Sequence, residues 1–250
     1  MGTALARGLL GAGWAPDSFA VVESDAARRS SLSADLPEID VRADPVTAEG
    51  AVLAVKPSDG QGACSSLAGI GVRRVVSVMA GVPLARLESW LGPDVAVVRA
   101  MPNVPAVVGA AMTAISGGFA AGADDLEWAE EVLGAVGRVV RVPEASLDAV
   151  TGLSGSGPAY LFYVAEAMIR AGSGVGLSEA VSREVVIQTF VGSARLLAES
   201  GESPELLRSR VTSPGGTTEA GLAVLADRDV AEAFSEAVAR ATERSRDLGS

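Results

Sequence analysis

From Met1 to about Pro143 the apolar positions fall into two alternating rhythms. Short, mostly apolar runs occur at Phe19-Ala20-Val21-Val22, Ala51-Val52-Leu53-Ala54-Val55, Val75-Val76-Ser77-Val78-Met79 and Val95-Ala96-Val97-Val98, and Arg138–Val142 predicts a last strand. Between them lie stretches of helical spacing: Gly2–Gly13, with Leu5, Leu9 and Leu10 on one face, then Ala26–Leu36, Pro83–Leu91 and Asp124–Val136. A run that is apolar throughout fits a parallel strand whose two faces are both covered. Strands alternating with helices predict βαβ units and a doubly wound sheet.

After Pro143 the strand rhythm stops. Pro158–Arg170 predicts a helix opened by proline and followed by Gly172. Its residues Tyr160, Leu161, Phe162, Tyr163, Val164, Met168 and Ile169 leave almost no polar face. A helix apolar all round must be covered on all sides. Leu177–Ser200, a helix from Ser203-Pro204-Glu205, Thr217–Leu225 and Asp229–Leu248 complete an all-helical second half. The predicted division is 1–146 and 147–250. So small a helical domain has little interior to hide such a helix, which points to a homodimer. The alternative is that it packs under the sheet domain of the same chain.

Composition narrows the chemistry. The chain has 250 residues, 48% hydrophobic and 20% charged, so it is not a disordered tail. A net charge of −11 argues against nucleic acid and anionic membranes as partners, since both draw on Lys and Arg. There is no His, which excludes Ser-His-Asp and Cys-His catalysis and any His metal site. The one cysteine, Cys64, makes neither an internal disulfide nor a thiolate zinc site, and no metal is expected. A reducing cytoplasm fits this usage. The longest uncharged stretch, Ala100–Ala123, is interrupted by Pro102, Asn103, Pro105, Gly109, Gly117, Gly118 and Gly122, and reads as a buried strand with its loops. The N-terminus has neither a myristoylation pattern nor a signal-peptide block.

The only Lys, Lys56, lies in Ala54-Val55-Lys56-Pro57, at the C-terminal end of a predicted buried strand. Open α/β sheets bind ligands there. The only Asn, Asn103, lies at a second strand end, in Met101-Pro102-Asn103-Val104-Pro105, and is counted among the candidate substrate-binding residues. Gly2 and Thr3 open the first helix, where the last glycine of a dinucleotide turn and its neighbour stand. Thr151-Gly152-Leu153-Ser154-Gly155-Ser156-Gly157-Pro158 lacks the Lys of a P-loop and reads as a glycine-rich junction. Val211–Gly221 places Ser213, Pro214, Gly215, Gly216, Thr217 and Thr218 just before a helix, whose free N–H groups favour a small anion such as a carboxylate. Simple helix capping by Thr is the alternative, but capping does not explain Pro214-Gly215-Gly216.

These segments resemble pyrroline-5-carboxylate reductases, the last enzymes of proline biosynthesis. The matching residues are Ala54–Pro57, Met101–Pro105, Asp148–Tyr160 and Val211–Leu222, in the family's order and over nearly the whole chain. The resemblance implies an N-terminal Rossmann-type domain and a helical domain that dimerises. It implies that Ala54, Val55, Lys56, Pro57, Val78, Met79 and Ala80 line NADPH or NADH. It implies that Ser213, Gly215, Gly216, Thr217 and Thr218 hold pyrroline-5-carboxylate, partly across a dimer. Without His, imine reduction needs a hydrogen-bond partner on nitrogen more than a strong acid, and Thr218 is the catalytic candidate for it. The family begins with a strand and a glycine-rich turn, and this chain starts at that turn's end, so the first strand of the sheet is expected to be missing. Ala226 stands where the family carries a polar or acidic residue, with Asp227 adjacent.

Glu23 follows the second strand of such a sheet, where an acid accepts from a ribose 2′-hydroxyl and favours NADH. Arg28 and Arg29 nearby favour a 2′-phosphate, and the resemblance tilts the choice to NADPH. Two rival readings remain: a hydroxyacid dehydrogenase on a similar plan, and a catalytically weak dimeric binding protein of the same family.

Overall fold

The computed structural model describes residues 1–249. They form two compact units, one of Met1–Ser156 with Ala239 onward, the other Gly157–Val238.

The first unit carries the strands. Helix α1 (Gly2–Gly11) is followed by β1 (Ala20–Val22), α2 (Ala26–Asp35) and β2 (Asp40–Arg42). Then come β3 (Gly50–Leu53), α3 (Gly60–Gly69), β4 (Arg74–Ser77), α4 (Leu84–Leu91) and β5 (Ala96–Met101). β6 (Ala111–Gly117), α5 (Ala123–Gly134) and β7 (Gly137–Arg141) complete the sheet region. β3, β4 and β5 run parallel in the order of the chain, with Val75 of β4 beside both Ala51 and Val97. β6 is antiparallel to β5, with Ala100 opposite Ile115, and β7 is parallel to β6. β6 falls inside the long uncharged stretch, as a buried strand rather than a spanning helix, and no helix among the described residues is long and apolar enough to cross a membrane.

The layering follows from the side chains. Val75 and Val97 pack with Leu87, Leu91 and Cys64 on one face of the sheet. Val76, Val98 and Ile115 pack with Leu5, Ala129 and Leu133 on the other. Alternate residues of one continuous apolar strand thus serve helices on both faces.

The parallel pair β1–β2 is a separate two-stranded sheet. Among the described residues no strand pairs with both sheets to join β1 to β3. Helix α1 spans the two sheets instead. Its Leu5 joins the core of the larger sheet, and Ala6 and Leu10 join Val21, Leu36 and Ile39 beside the smaller one.

From Pro143 the chain turns through α6 (Leu147–Val150) into a π-helical turn, Thr151–Gly155. The second unit holds α7 (Gly157–Gly174), α8 (Glu179–Ser200), α9 (Pro204–Arg210), α10 (Thr217–Asp227) and the start of α11 (Val230–Gly249). Among the described residues no strand follows β7, as the sequence pattern predicts. α7 and α8 pack on each other through Gly172, where a Cβ would lie 2.6 Å from the Ser182 hydroxyl. Their own chain does not cover them: Leu161, Phe162 and Tyr163 are 57%, 68% and 70% exposed, and Val181, Val185 and Leu197 also face outward.

Candidate active site

At one end of the larger sheet three strand ends come together. β3 leads into Ala54–Pro57, all of them exposed. The Val78 N–H donates to the Leu53 carbonyl at 3.0 Å, which holds the chain leaving β4 against the end of β3. β5 ends beside them at Met101. The N-terminus of α1 closes the group, since a Cβ on Gly2 would rest 3.4 Å from the Ala54 Cβ. Gly2, Thr3 and Ala4 carry first-turn N–H groups without intrahelical acceptors. Ordinary helix physics makes this end a seat for phosphate. Gly2, without a side chain, lets a ligand reach the backbone.

Lys56 is exposed and precedes the Pro57–Asp59 turn, with its backbone extended at φ −68° and ψ 149°. Val78 is half-buried and Ala80 exposed, but the Met79 side chain is buried in the core, under Gly60 of α3. Only the backbone of Met79 is therefore left to face a ligand.

Two contacts that the sequence pattern does not reveal hold the loop after β4. The Glu144 carboxylate accepts from the Leu84 N–H at 2.7 Å and from the Arg99 guanidinium at 2.9 Å, so the start of α4 is tied to β5. The end of α11 rests against Gly81, where a Cβ would lie 3.1 Å from the Leu248 carbonyl oxygen. One turn earlier, the Ser245 hydroxyl donates to Asp148 at 2.7 Å.

After β1, Glu23 is half-buried, and its carboxylate accepts the Asp25 N–H at 3.0 Å. Asp25 in turn caps α2 through the Arg28 N–H. The Arg29 guanidinium turns back to the carbonyls of Glu23 and Ser24. The Arg28 side chain is exposed and enters no ion pair among the described residues.

Asn103 lies just beyond Met101, at this same C-terminal end of β5. Its Nδ2 donates to the Ser154 carbonyl and to the Ser154 hydroxyl, both at 3.2 Å, and its Oδ1 accepts the Met112 N–H at 2.9 Å. The only asparagine is thus bound to the glycine-rich junction, which is wound as a π turn. The junction approaches β5 closely: a Cβ on Gly155 would lie 2.9 Å from the Met101 methyl.

In the second unit the segment before α10 has the shape of an anion site. Gly215 adopts φ +70°, a left-handed conformation that glycine takes without strain. The Gly216 N–H is already used, donating to the Ser213 carbonyl at 3.0 Å. Gly216 is the N-cap, so no side chain caps α10. The first-turn N–H groups of Thr217, Thr218 and Glu219 therefore point out of the helix start without intrahelical acceptors. Ser213, Thr217 and Thr218 are all exposed. Thr218 lies one position inside the helix, so the plain capping role does not apply to it. Among the described residues no group of acids and Cys would hold a metal.

Comparison with known proteins shows the family. Residues 144–248 match the family model for pyrroline-5-carboxylate reductase dimerisation. A pyrroline-5-carboxylate reductase from Synechocystis is 44% identical, over 98% of this chain and 93% of that protein. The chain belongs to the pyrroline-5-carboxylate reductase family. Another member, from Corynebacterium melassecola, is 35% identical over 100% of this chain and 95% of its own. A solved pyrroline-5-carboxylate reductase from Coxiella burnetii superposes with a TM-score of 0.94 at 32% identity, covering 100% of this chain and 95% of that one. The Plasmodium falciparum pyrroline carboxylate reductase with NADP bound gives 0.87 at 25% identity, with the same coverage of both chains. The Rossmann-type sheet and the helical dimerisation domain expected of this family are both present.

Proposed function

We propose that this protein reduces pyrroline-5-carboxylate to L-proline with NADPH as hydride donor, and that it acts as a homodimer in the cytoplasm. The observation that carries the reading is the convergence of the β3, β4 and β5 ends on the N-terminus of α1, in a chain of this reductase family. The residues fit a dinucleotide. Gly2 and Thr3 offer backbone N–H groups to its phosphates, Ala54–Pro57 and Val78–Ala80 form the wall at the strand ends, and Glu23 and Arg28 stand where the adenosine ribose is read. Arg28, exposed and without an ion-pair partner among the described residues, supports NADPH over NADH, as does the NADP in the Plasmodium relative. When bound, the reduced nicotinamide supplies a hydride.

The chain's own part is binding, orientation and a hydrogen bond. The N–H groups of Thr217, Thr218 and Glu219 receive the substrate carboxylate. The Thr218 hydroxyl meets the ring nitrogen, which takes its proton from solvent. An imine carbon beside a protonated nitrogen is already electrophilic, so the absence of His is no obstacle. Ser213 and Gly215 shape the turn that presents these groups, with Gly215 held by the Glu219 carboxylate at 2.6 Å. The exposed apolar faces of α7 and α8 support the dimer, since a second copy covers what this chain leaves bare. The test is nicotinamide oxidation on adding pyrroline-5-carboxylate. Turnover that yields proline is expected, and tight cofactor binding with no turnover would favour a non-catalytic family member.

A further inference from the structure

We propose that Asn103 is a positioning residue for hydride transfer. It acts by holding the π turn Thr151–Gly155 against the end of β5, beside the strand ends where the nicotinamide is received. The inference rests on the cofactor site proposed above.

Asn103 lies two residues beyond Met101, the last residue of β5. β5 is the direct neighbour of β4, so this turn is next to the segment Val78–Ala80. Every heavy polar atom of the carboxamide is engaged. Nδ2 donates to both oxygens of Ser154, and Oδ1 accepts from Met112 at the start of β6. One planar group thus fixes the base of the β5–β6 connection and, at the same time, the register of the π turn. π turns are uncommon and are maintained where the surrounding structure over-determines them. The turn also packs closely on β5, since a Cβ on Gly155 would lie 2.9 Å from the Met101 methyl, the movable end of a flexible side chain. Asp, Ser and Gln each break the pattern. Asp presents an oxygen to the Ser154 carbonyl, which can only accept, Ser is too short to span both sides, and Gln displaces the amide by a methylene. This is a physical reason for the only Asn in the chain to stand here.

A misplacement of about 1 Å between reacting groups costs about 100-fold in rate. Asn103→Asp, nearly equal in volume, is expected to lower kcat by about 100-fold while the KM for pyrroline-5-carboxylate changes by less than about threefold. With NADPH deuterated at the transferring position, the isotope effect on kcat should grow, because the hydride step becomes rate-limiting. Ser154→Ala keeps the carbonyl acceptor and loses the hydroxyl, so a smaller loss of kcat, about tenfold, is expected with a melting temperature near that of the parent. If Asn103→Asp does not fold, Ser154→Ala decides alone. An unchanged kcat and isotope effect in the folded variant overturns the proposal, leaving the tie purely structural. A raised KM with intact kcat also overturns it, making Asn103 a substrate ligand. Failure of the unsubstituted chain to turn over defeats the proposed function itself and this inference with it.

Discussion

The Glu219 carboxylate accepts the Gly215 N–H at 2.6 Å, and so folds the first turn of α10 back onto the Pro214-Gly215-Gly216 bend. The bond spans four residues and meets a glycine already at φ +70°. Together they fix the bend directly ahead of the first-turn N–H groups of Thr217 and Thr218. In the function proposed above this bend seats the substrate carboxylate, and a seat shaped before substrate arrives lowers the ordering cost of binding.

Thr218→Ala tests the hydroxyl assigned to the imine nitrogen. Loss of one hydrogen bond to a charged group is worth about 1.5–3 kcal/mol, or about a 10- to 150-fold fall in kcat/KM. The N-cap is Gly216, not Thr218, so the melting temperature should barely change. Steady-state kinetics with both substrates varied, beside a thermal melt, reads both. Normal kcat/KM in this variant would move the substrate site elsewhere.

Glu23→Ser tests the cofactor choice. Glu23 follows β1, and an acid there repels a 2′-phosphate. The variant should raise the NADPH-to-NADH ratio of kcat/KM, and Arg28→Ala should lower it. Ratios unaffected by both changes would remove this edge of the sheet from the adenosine site.

Two glycines separate function from stability. In Gly2→Ala the new Cβ meets Ala54 at an ordinary 3.4 Å, so the free protein tolerates it, but the path of a phosphate to the helix N–H groups narrows. The Kd for NADPH should rise about tenfold with little change in melting temperature. In Gly137→Ala the Cβ would fall 2.1 Å from the Ala111 carbonyl oxygen of the paired strand. That variant should lose about 1–3 kcal/mol and melt about 2–12 °C lower, with near-normal Kd. Isothermal titration and thermal melts of the pair check the contrast.

Cys64 is fully buried, and desolvation pushes its thiol up to about 11. A raised pKa favours the neutral thiol in the folded state. As pH rises past the ordinary thiol value of 9.0, the unfolded chain loses this proton before the folded one does. The contribution of Cys64 to stability therefore declines through the window from about 9 to about 11. An alkylating reagent at pH 9.0 should label the denatured chain fully and the native chain only at its unfolding rate. Rapid native labelling would contradict the burial.

The β-strands β3, β4 and β5 are legible in the sequence because each holds a short block of Ala, Val or Leu, at Ala51–Leu53, Val75–Val76 and Ala96–Val98, as two-sided burial rewards. Ala111–Gly117 mixes Thr, Ser and Gly with apolar residues, so β6 shows in the pattern only as an uncharged stretch. Thr113 and Ser116 are nonetheless buried. Helix α3, Gly60–Gly69, is hidden by its glycines and serines, which carry little helical signal, while its burial rests on Gly60 and Cys64. At the site, the strand-end position of Lys56 and the helix start at Thr217 follow from the sequence pattern. The bonds from Asn103 to Ser154 and from Glu144 to Leu84 join residues 51 and 60 positions apart, and no local periodicity encodes such pairs. The Gly216 N–H is a local miss: a sequence reading leaves it open for substrate, whereas the tight turn at Gly215 brings it to the Ser213 carbonyl three residues back.

The most direct test of the account is isotope transfer. NADPH carrying deuterium at the reactive face of the nicotinamide is incubated with the protein and pyrroline-5-carboxylate, and the proline formed is read by mass spectrometry and NMR. The account predicts L-proline with one deuterium on the former imine carbon, and a parallel sharp fall in its rate of formation in Thr218→Ala. Cofactor that stays reduced, or proline without deuterium, would contradict it.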